Sequence, residues 1–556
     1  MSVFGKKWII KNENTSISTF QKILENRGIV DEDEKLGFHD PFLFSDMEKA
    51  VKRIFESIEK KERIIIFGDY DVDGITGSLI LYNTLKKMNA VVSYRLPNRL
   101  KDGYGLSEKF IDEFAKKDIN LIITVDCGIS CRLQVAKAKE NNIDVIITDH
   151  HTIPKEAPDA VAIIHPKYDS AYPFKDLTGS AVALKMAHAL LLRTESEESV
   201  AEKLRTLVDL AALGTVADLG PIKGENKFIV REGLKSLTNT KWPGLKKILK
   251  LSAMKENDEI DGSTIGFKIA PRINAAGRIG DPYTAMSLLL QEDDGEKVEK
   301  FGNELEALNI QRQEMTKIAM DQAEKIFSES GLKNKILIVE SQDWHVGILG
   351  LVAGRLVEKY ARPVILMQDF GDTLVGSARS PEYFNIVDAL TAVSNLLPSF
   401  GGHAQAGGFN VKKKELEEFK EKLIEYANKQ LEGNELKPSL VIDCELDADE
   451  ISFEFIEKTN KLKPFGIENA RPVFIMEGLE PYFIDQVGKE KDHFKFMVKS
   501  KDKEVNVIGF KMGEFMSEMR QHRKIDLVFT IEKNVWNDKE KIQFKAIDFR
   551  ESKGKL

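Results

Sequence analysis

The stretch Ile-Ile-Ile-Phe-Gly-Asp-Tyr-Asp-Val-Asp-Gly, residues 64–74, joins a short apolar run directly to three closely spaced carboxylates. Residues 64–67 have the length and the β-branched composition that are typical of a buried strand. Asp69, Asp71 and Asp73 follow it at once. In an open parallel sheet, ligands bind beyond the carboxyl ends of the strands, so this loop is the first candidate for a functional site.

Other apolar runs of similar length follow along the chain, at residues 91–96, 121–125, 145–148 and 161–164. Amphipathic segments with helical spacing lie between the earlier runs, at residues 75–88, 107–117 and 129–141. Short, wholly apolar strands that alternate with helices predict a mostly parallel sheet covered on both faces. We therefore predict an α/β domain over residues 1–230. A helix is predicted before the sheet, from Asp46 to Lys60, with Ser45 and Glu48 as its capping box.

The ends of the later runs deliver further acidic and imidazole groups: Asp126, the triplet Asp149-His150-His151, and His165. Clustered carboxylates repel one another unless cations neutralise them, so this edge of the sheet predicts a metal site. Oxygen and imidazole ligands suit Mn²⁺ and also Mg²⁺, whereas zinc takes fewer ligands and often thiolate. Two ions about 4 Å apart would activate a water and stabilise the leaving oxygen of a phosphodiester.

Single pieces of this pattern have other interpretations. The run of aspartates could be a calcium loop, but the glutamate of that loop is missing, because position twelve from Asp69 is Ile80. His165 is equally compatible with a ligand and with a structural residue before Pro166. His188 lies in an apolar helical segment and is expected in the core.

Length and composition restrict the protein class. A chain of 556 residues is too long for one core and predicts three or four domains. We find no apolar run of the roughly 18 residues that a membrane span needs, and no signal-peptide core, so a soluble cytoplasmic protein is expected. Cys127, Cys131 and Cys444 cannot form a disulfide framework and are expected as thiols. The net charge of −8 counts mildly against a nucleic-acid partner, although a local basic groove can coexist with it.

The sequence pattern after residue 230 predicts three further segments of different secondary structure. Residues 231–330 are predicted to link two domains through one long helix, 296–328, which would span about 50 Å. A second α/β domain is predicted over 331–435 and a small β-barrel over 436–556. The barrel strands are predicted at 494–499, 505–510, 525–532 and 541–549. Candidates for base stacking there are Phe494, Phe496 and Phe510, although alternate residues on a strand are more often core.

Four motifs occur in order along the chain, namely the loop 69–74, Asp126, the triplet 149–151, and Asp218 within residues 214–220. Together they resemble the DHH phosphoesterase superfamily, and the first motif resembles its RecJ family. Further RecJ-like segments cover nearly the whole chain, at residues 272–278, 344–350, 376–380, 401–408 and 463–474. Val72 replaces an alanine of the family motif, and both residues are small and apolar. The chain is shorter than RecJ forms that carry a further C-terminal domain.

This resemblance implies roles for particular residues. The residues that match metal ligands are Asp71, Asp73, Asp126, His150 and Asp218, with Asp69 as an additional one. The implied catalytic residues are His151, which touches the scissile phosphate, and the ligands Asp73 and Asp126. Contacts to the 5′ phosphate and DNA are implied for Ser377, Arg379, Arg99, Arg278, Arg272, Asn274, His345 and His403. Paired guanidinium hydrogen bonds and close backbone amides at glycines both suit phosphate.

The fold that the resemblance implies is a parallel-sheet DHH domain, joined by the long helix to a smaller α/β DHH-associated domain, with a C-terminal OB-type barrel. The implied activity is 5′→3′ hydrolysis of single-stranded DNA to 5′-mononucleotides with two divalent cations, Mn²⁺ or Mg²⁺, in DNA repair and recombination. The implied partners are single-stranded DNA with a 5′ phosphate, a single-strand-binding protein and a helicase. The protein is expected to act as a monomer.

Two rival functions stay open. A DHH phosphodiesterase for short oligonucleotides or cyclic dinucleotides would use the same metal site, but it would rarely need the barrel or the segment 272–278. A non-catalytic single-strand-binding protein on a decayed nuclease fold is the rival from another class. The intact acids in all four motifs argue against that second rival.

Overall fold

The computed structural model describes residues 2–29, 36–99, 101–103, 105–254, 258–501, 503–536 and 539–553. The chain forms two compact units. The first unit comprises residues 35–317 and 464–469, and the second unit comprises residues 1–34, 318–463 and 470–556. Among the described residues, no helix combines the length and the apolar composition that a membrane crossing requires.

Strands and helices alternate along residues 63–148. The strands are β1 (Lys7–Ile10), β2 (Arg63–Gly68), β3 (Val91–Arg95), β4 (Leu121–Val125), β5 (Asp144–Thr148), β6 (Ala162–Ile164), β7 (Leu337–Ser341), β8 (Val364–Asp369), β9 (Thr373–Arg379), β10 (Ser399–His403), β11 (Ala406–Lys412), β12 (Ser439–Ile442), β13 (Cys444–Glu445), β14 (Phe474–Val487), β15 (His493–Ser500), β16 (Lys503–Gly509), β17 (Ile525–Trp536) and β18 (Lys539–Glu551).

The helices, given in the same order, are α1 (Thr19–Asn26), α2 (Met47–Glu59), α3 (Val72–Lys87), α4 (Glu108–Lys116), α5 (Arg132–Glu140), α6 (Gly179–Leu192), α7 (Glu197–Ala217), α8 (Gly224–Thr238), α9 (Pro243–Leu251), α10 (Gly262–Thr264), α11 (Ala270–Ile279), α12 (Pro282–Leu289), α13 (Glu296–Ser330), α14 (Val346–Tyr360), α15 (Ile386–Ala392), α16 (Leu416–Gln430), α17 (Phe453–Asn460) and α18 (Met516–Met519). A π-helix, Ile265–Ile269, lies between α10 and α11.

The first unit contains the parallel sheet that the apolar runs predict. Its strand order is β3-β2-β4-β5-β6, and every pairing is parallel. All five residues of β4 are buried, because helices cover both faces of the sheet. The carboxyl ends of β2, β4, β5 and β6 therefore lie along one edge, which confirms the predicted α/β architecture.

The predicted capping box of α2 is wrong. The helix begins at Met47, and its N-cap Asp46 makes no side-chain capping bond within the helix. Asp46 accepts instead from the backbone N–H of Ile163 at 3.0 Å. Ser45 donates from both its backbone and its hydroxyl to the buried Asp169. These tertiary hydrogen bonds replace the local capping pattern and tie the start of α2 to the strand β6.

A buried ion pair holds the helical layer of the first unit together. Lys185 of α6 contacts Glu225 of α8 at 2.8 Å, and both side chains are fully buried. The Glu225 carboxylate also accepts from the Tyr172 hydroxyl and from the backbone N–H of His39. Burial lowers the pKa of Lys185, while the charge of Glu225 opposes that shift. The site is fully hydrogen-bonded, which is what makes a buried pair tolerable.

The long helix α13 runs over 35 residues, and the chain passes from the first unit to the second within it, after residue 317. This confirms the predicted helix at 296–328. The second unit then forms a five-stranded sheet in the order β10-β11-β9-β8-β7. Only β7 and β8 pair in parallel, and the other strands are antiparallel.

A closed β-barrel completes the second unit. Its strands are ordered β13-β14-β15-β16-β18-β17, and an additional β14–β17 pairing closes the sheet. The four predicted barrel strands are confirmed, but the sequence pattern missed the long strand β14. Phe494 and Phe496 are buried in the barrel, so base stacking is excluded for them in this fold, whereas Phe510 is exposed.

We expect the substitution Lys185→Met to destabilise the first unit strongly. Removing one partner leaves the Glu225 carboxylate buried and unpaired, which costs about 3–5 kcal/mol. Lys86→Met is the matched control, because the pair of Lys86 with Glu292 is largely exposed and should contribute little. Urea unfolding followed by tryptophan fluorescence measures both. Equal midpoints for the two variants would contradict the structural role of the pair.

Candidate metal centre

The three aspartates that follow β2 lie in the loop before α3 and in the first turn of that helix. One oxygen of Asp71 caps α3 by accepting from the backbone N–H groups of Asp73 and Gly74 at 3.0 and 3.1 Å. Asp73 lies in the first turn of α3 and accepts from the backbone N–H groups of Gly179 and Ser180 at the start of α6. Two helix N-termini therefore converge on these carboxylates, and such termini favour negative charge.

Asp126 follows β4 in a left-handed backbone conformation, with φ of 60°. Its side chain packs so closely against Gly179 that a Cβ there would lie 2.5 Å from the Cβ of Asp126. Only glycine fits at that position. This contact fixes Asp126, which is almost fully buried, beside the carboxylates of the first loop.

His150 connects the carboxylates of three different strand and helix ends. Its Nε2 lies 3.0 Å from Asp126 Oδ1, 3.5 Å from Asp218 Oδ2 and 3.9 Å from Asp73 Oδ2. Burial lowers the pKa of His150 to about 4, against the opposing charge of Asp73. The imidazole is therefore neutral at neutral pH, which is the form that binds metal ions.

Asp149 serves the neighbouring histidine rather than the carboxylate cluster. Its oxygens accept from the backbone N–H groups of Ile129, His150 and His151, and one of them lies 2.8 Å from His151 Nδ1. Burial alone would raise the pKa of Asp149, but the hydrogen bond and charge of His151 lower it to about 2. Burial likewise opposes protonation of His151, yet the bond to Asp149 raises its pKa to about 9. The pair holds a positively charged imidazole at the edge of the cluster.

His165 is a structural residue that supports His151. Its Nε2 lies 2.8 Å from the backbone oxygen of His151, and its Nδ1 accepts from the backbone N–H groups of Lys167 and Tyr168. Both ring nitrogens are thus used within the protein. This resolves the open question about His165 in favour of a positioning role. His188 packs against Phe38 away from the cluster, as its apolar surroundings predict.

Asp218 reaches the cluster from the end of α7, where it is the C-cap residue. One turn earlier, Gly214 leaves no room for a side chain, because a Cβ would lie 2.1 Å from Ser180 Oγ and 2.3 Å from Asp73 Oδ1. The helix α7 can therefore approach α3 and α6 closely enough to bring Asp218 beside His150.

The donor set fits divalent cations. Three overlapping groups have ligand atoms within 4.8 Å of one another: Asp69 with Asp71 and Asp126, Asp73 with His150 and Asp218, and Asp126 with His150 and His151. Burial is the larger cause, and repulsion between the carboxylates the smaller one, of a pKa that is raised well above the usual carboxyl range at Asp69 and Asp126. Asp69 Oδ1 is buried and has no hydrogen-bond partner among the described residues. A cation would both neutralise this charge and satisfy that oxygen.

Arginine side chains lie next to the first loop. The Arg99 guanidinium lies over the ring of Tyr70, 5.6 Å from its centroid. Burial lowers the pKa of Arg278 to about 10, and the charges of Arg99 and Arg312 add to that shift. Arg312, on α13, donates to Asn309 at 2.9 Å. The charge of Asp71 opposes the shift of the Arg278 pKa, so the guanidinium groups lie close to the carboxylates, and guanidinium groups bind phosphate well.

Two residues that the resemblance implied for DNA contacts also hold the protein framework. Arg272 pairs with Glu306 through two of its nitrogens and donates to the backbone oxygens of Lys268 and Leu251. Asn274 accepts from the backbone N–H of Val72 at 3.1 Å and thereby fixes the loop of Asp71. A direct contact of either residue with DNA stays a prediction.

The other implied phosphate contacts lie in the second unit. Arg379 donates to Ser377 Oγ at 3.2 Å and to the backbone oxygen of Ala378 at 2.8 Å. Gly350 makes room for them, since a Cβ there would lie 2.7 Å from Arg379 Nη2 and 3.2 Å from Ser377 Oγ. His345 caps α14 through Nδ1, which accepts from the backbone N–H of Gly347. His403 is exposed at the end of β10.

Sequence reasoning missed several supporting residues. Gly179 and Gly214 carry no chemical group, and only the close packing in three dimensions reveals why they matter. Asn309 and Arg312 lie within a helix whose pattern shows only an apolar stripe. Asp149 stood in the sequence as part of the triplet, but its role as the partner of His151 depends on a rotamer that the sequence does not encode.

Three family models match the chain. They are the DHH family, N-terminal domain, over residues 63–215, the DHHA1 domain over residues 333–429, and the RecJ OB domain over residues 442–548. Their order along the chain is that of the parallel-sheet domain, the second α/β sheet and the barrel. Each of these models covers a domain and identifies no individual site residue.

Proteins named single-stranded-DNA-specific exonuclease RecJ are similar to the chain over most of its length. The one from Bacillus subtilis is 36% identical over 93% of this chain, which spans 65% of that protein. The one from Salmonella typhimurium is 36% identical over 77% of each chain. A crystal structure of RecJ with Mn²⁺ from Thermus thermophilus matches with a TM-score of 0.84 and 26% identity, covering 99% of this chain and 80% of that one. RecJ from that organism has also been solved with Mg²⁺.

We expect Mn²⁺ to stabilise the wild-type protein much more than the variant Asp126→Asn. Without cations the variant should melt at or above the wild-type temperature, because one repelling buried carboxylate is gone. At saturating Mn²⁺ the wild type should gain on the order of 5 °C over its metal-free form.

The measurement is differential scanning calorimetry in EDTA and in Mn²⁺. Asp293→Asn removes one carboxylate from an exposed position and should respond to Mn²⁺ like the wild type. If Asp126→Asn gained as much from Mn²⁺ as the wild type, the cluster would not be the cation site.

Proposed function

This chain belongs to the RecJ family, and from that membership we propose that it is a single-stranded-DNA-specific exonuclease that cuts from the 5′ end and releases 5′-mononucleotides. The family relation supports a nuclease of the DHH type. The observation that carries the proposal is the cluster of carboxylates and imidazoles at one edge of the parallel sheet. Mutual repulsion makes such a set of carboxylates unfavourable without counter-charge, and the set suits divalent cations that act on a phosphodiester.

The residues that would hold the cations are Asp69, Asp71, Asp73, Asp126, His150 and Asp218. Two divalent cations, Mn²⁺ or Mg²⁺, would activate a water for in-line attack and stabilise the leaving 3′ oxygen. The protein would hold these side chains in position before a cation binds. Backbone amides hold both oxygens of Asp73, and the close approach of Gly214 fixes the distance between α7 and that carboxylate. Pre-organisation of this kind is what makes electrostatic stabilisation effective.

His151 has a different role in the proposal. Its Nδ1 is held by Asp149, so the ring is oriented and carries a positive charge that matches a phosphate oxygen. The imidazolium would therefore donate to the scissile phosphate and stabilise the charge that develops on it. Arg99 and Arg278 would hold a neighbouring phosphate of the strand through guanidinium hydrogen bonds.

The direction of cleavage requires a separate explanation, because an internucleotide phosphate has no preferred end. We assign end recognition to Ser377 and Arg379. A terminal phosphate carries more negative charge than an internal one, so a guanidinium prefers it. The hydrogen bond between Arg379 and Ser377 and the missing side chain at Gly350 support this assignment. Arg272, Asn274, His345 and His403 are proposed as further DNA contacts.

The wider role follows from the same family relation. We propose that the protein acts as a monomer in the cytoplasm, in DNA repair and recombination, on strands supplied by a helicase and covered by a single-strand-binding protein. The proposed domains are a catalytic domain over 1–230, a linking segment over 231–330, a DHH-associated domain over 331–435 and an OB domain over 436–556. The barrel would guide the strand.

The decisive assay uses a long 5′-phosphorylated single strand with Mn²⁺. We expect progressive release of mononucleotides from the 5′ end, and no cleavage by Asp73→Ala, because losing a metal ligand displaces or removes the ion. Cleavage restricted to oligomers of two to five nucleotides would favour the small-substrate phosphodiesterase. Tight binding without cleavage would favour the non-catalytic alternative. Either result would contradict the proposal.

The substitution Arg379→Ala should slow cleavage of 5′-phosphorylated strands far more than cleavage of 5′-hydroxyl strands. Hydrogen bonds to charged groups contribute about 1.5–3 kcal/mol, so the loss should be about tenfold or more. The measured quantity is the ratio of initial rates on the two substrates. Arg355→Ala removes an exposed arginine of α14 and should leave the ratio unchanged. A wild-type ratio in Arg379→Ala would show that the end is recognised elsewhere.

A further inference from the structure

Phe267 has the most exposed large hydrophobic side chain among the described residues, with 83% of its surface accessible. A single exposed apolar side chain needs no explanation, but exposed apolar groups that gather beside a site indicate a binding surface. Two other exposed apolar side chains belong to segments that contact the segment of Phe267. They are Leu219, which is 66% exposed, and Ile467, which is 46% exposed.

The exposure of Phe267 follows from the local sequence. Pro271 lies in the first turn of α11 and would clash with the backbone oxygen four residues earlier, which is that of Phe267. The backbone avoids the clash by widening into the π-helix Ile265–Ile269, where the N–H of Ala270 bonds to the oxygen of Ile265. Such single-turn π segments occur frequently at functional sites. Here the widened turn leaves Phe267 outside the core, between the buried Ile265 and Ile269.

The three segments contact one another pairwise. A Cβ at Gly266 would lie 3.9 Å from the side chain of Val216, which is two residues before Asp218 in the sequence. The backbone N–H of Ile222 donates to the oxygen of Ile467 at 2.8 Å. A Cβ at Gly262 would lie 2.6 Å from the oxygen of Phe465. The segments that carry Leu219, Phe267 and Ile467 therefore pack against one another within the first unit, and we call these three exposed side chains the apolar patch.

The apolar patch adjoins the metal centre through its backbone. Leu219 directly follows Asp218 and has φ of 59°, the left-handed conformation that ends α7, where the N–H of Gly220 bonds to the oxygen of Thr215. On the other side, the π-helix continues into α11. There Asn274 holds the N–H of Val72, and Gly277 packs against the oxygen of Tyr70. The segments that carry the patch thus adjoin Asp218 directly and, through α11, the loop that carries Asp69, Asp71 and Asp73.

We propose that the apolar patch receives an unstacked base of the single-stranded substrate, with Phe267 as the stacking residue. In the proposed function, the cations held by the carboxylates and the arginine side chains bind the phosphates of the strand. The apolar patch offers an uncharged surface to the bases of the strand. Aromatic stacking accepts every base, because each has a π-face. In a duplex both faces of a base are already covered by neighbours, so the patch would favour single strands. This inference rests on the proposed function and names residues that position its substrate.

The test compares Phe267→Ala with the wild type on two 5′-phosphorylated strands, one intact and one with abasic sites at its first nucleotides. On the intact strand the variant should show a KM about tenfold higher, since one stacked base accounts for roughly 5- to 150-fold in affinity. On the abasic strand wild type and variant should have equal KM, because no base is present to stack. Phe267→Trp should retain the wild-type KM.

Leu192→Ala is the matched control. It removes an exposed apolar side chain at the far end of α6, about 20 Å from the helix start that contacts Asp73. It should change KM on neither strand. Melting temperatures and solution masses of all variants complete the experiment. Because Phe267 is exposed, its replacement should leave the melting temperature unchanged.

The outcomes separate this inference from the proposed function. If the wild type cleaves the intact strand and Phe267→Ala has the same KM, the patch does not bind bases, while the nuclease proposal stands. An equal rise in KM on intact and abasic strands would also overturn base stacking. A changed solution mass with an unchanged KM would show that the patch binds a second copy of the chain instead. A wild type that cleaves neither strand would refute the proposed function itself.

Discussion

The repulsion between carboxylates that are buried at one edge of the parallel sheet is the constraint on which the rest of the site depends. Asp69, Asp73 and Asp126 are nearly inaccessible to water, and burial together with their mutual charge raises the pKa of Asp69 and Asp126. The protein offsets part of this cost with backbone amides at the starts of α3 and α6. The remaining negative charge is what divalent cations would neutralise.

The same constraint explains features that look purely structural. Gly179 and Gly214 allow α6 and α7 to approach so closely that amides and Asp218 reach the cluster. The buried Lys185–Glu225 pair lies on α6 and α8 and fixes the helix whose start holds Asp73. His165 fixes the backbone of His151, and Asp149 fixes its ring. These contacts of the first unit thus hold the carboxylates and His151 close together despite the repulsion between the carboxylates.

Much of this was predictable from the sequence, for physical reasons. Parallel strands buried on both faces leave apolar runs, and their carboxyl ends share an edge, so the candidate ligands after the strands could be brought together from the sequence alone. Asp218 follows a helix and came only from the family resemblance. The long helix and four barrel strands were also predictable, because their apolar residues recur at helical and at strand spacing. The failures concern interactions that depend on distant residues. Ser45 bonds to Asp169 rather than capping α2, and residues 464–469 belong to the first unit although the flanking residues belong to the second. No local pattern encodes such contacts.

The proposed mechanism requires that the cluster hold two cations close together. Electron paramagnetic resonance of the protein titrated with Mn²⁺ tests it directly. Two ions about 4 Å apart interact magnetically, so two equivalents per chain should give a broadened, coupled spectrum in place of the sharp six-line signal of an isolated ion. The coupled spectrum should disappear in Asp126→Asn. Saturation at one equivalent per chain, or two equivalents that keep the isolated six-line signal, would contradict the account.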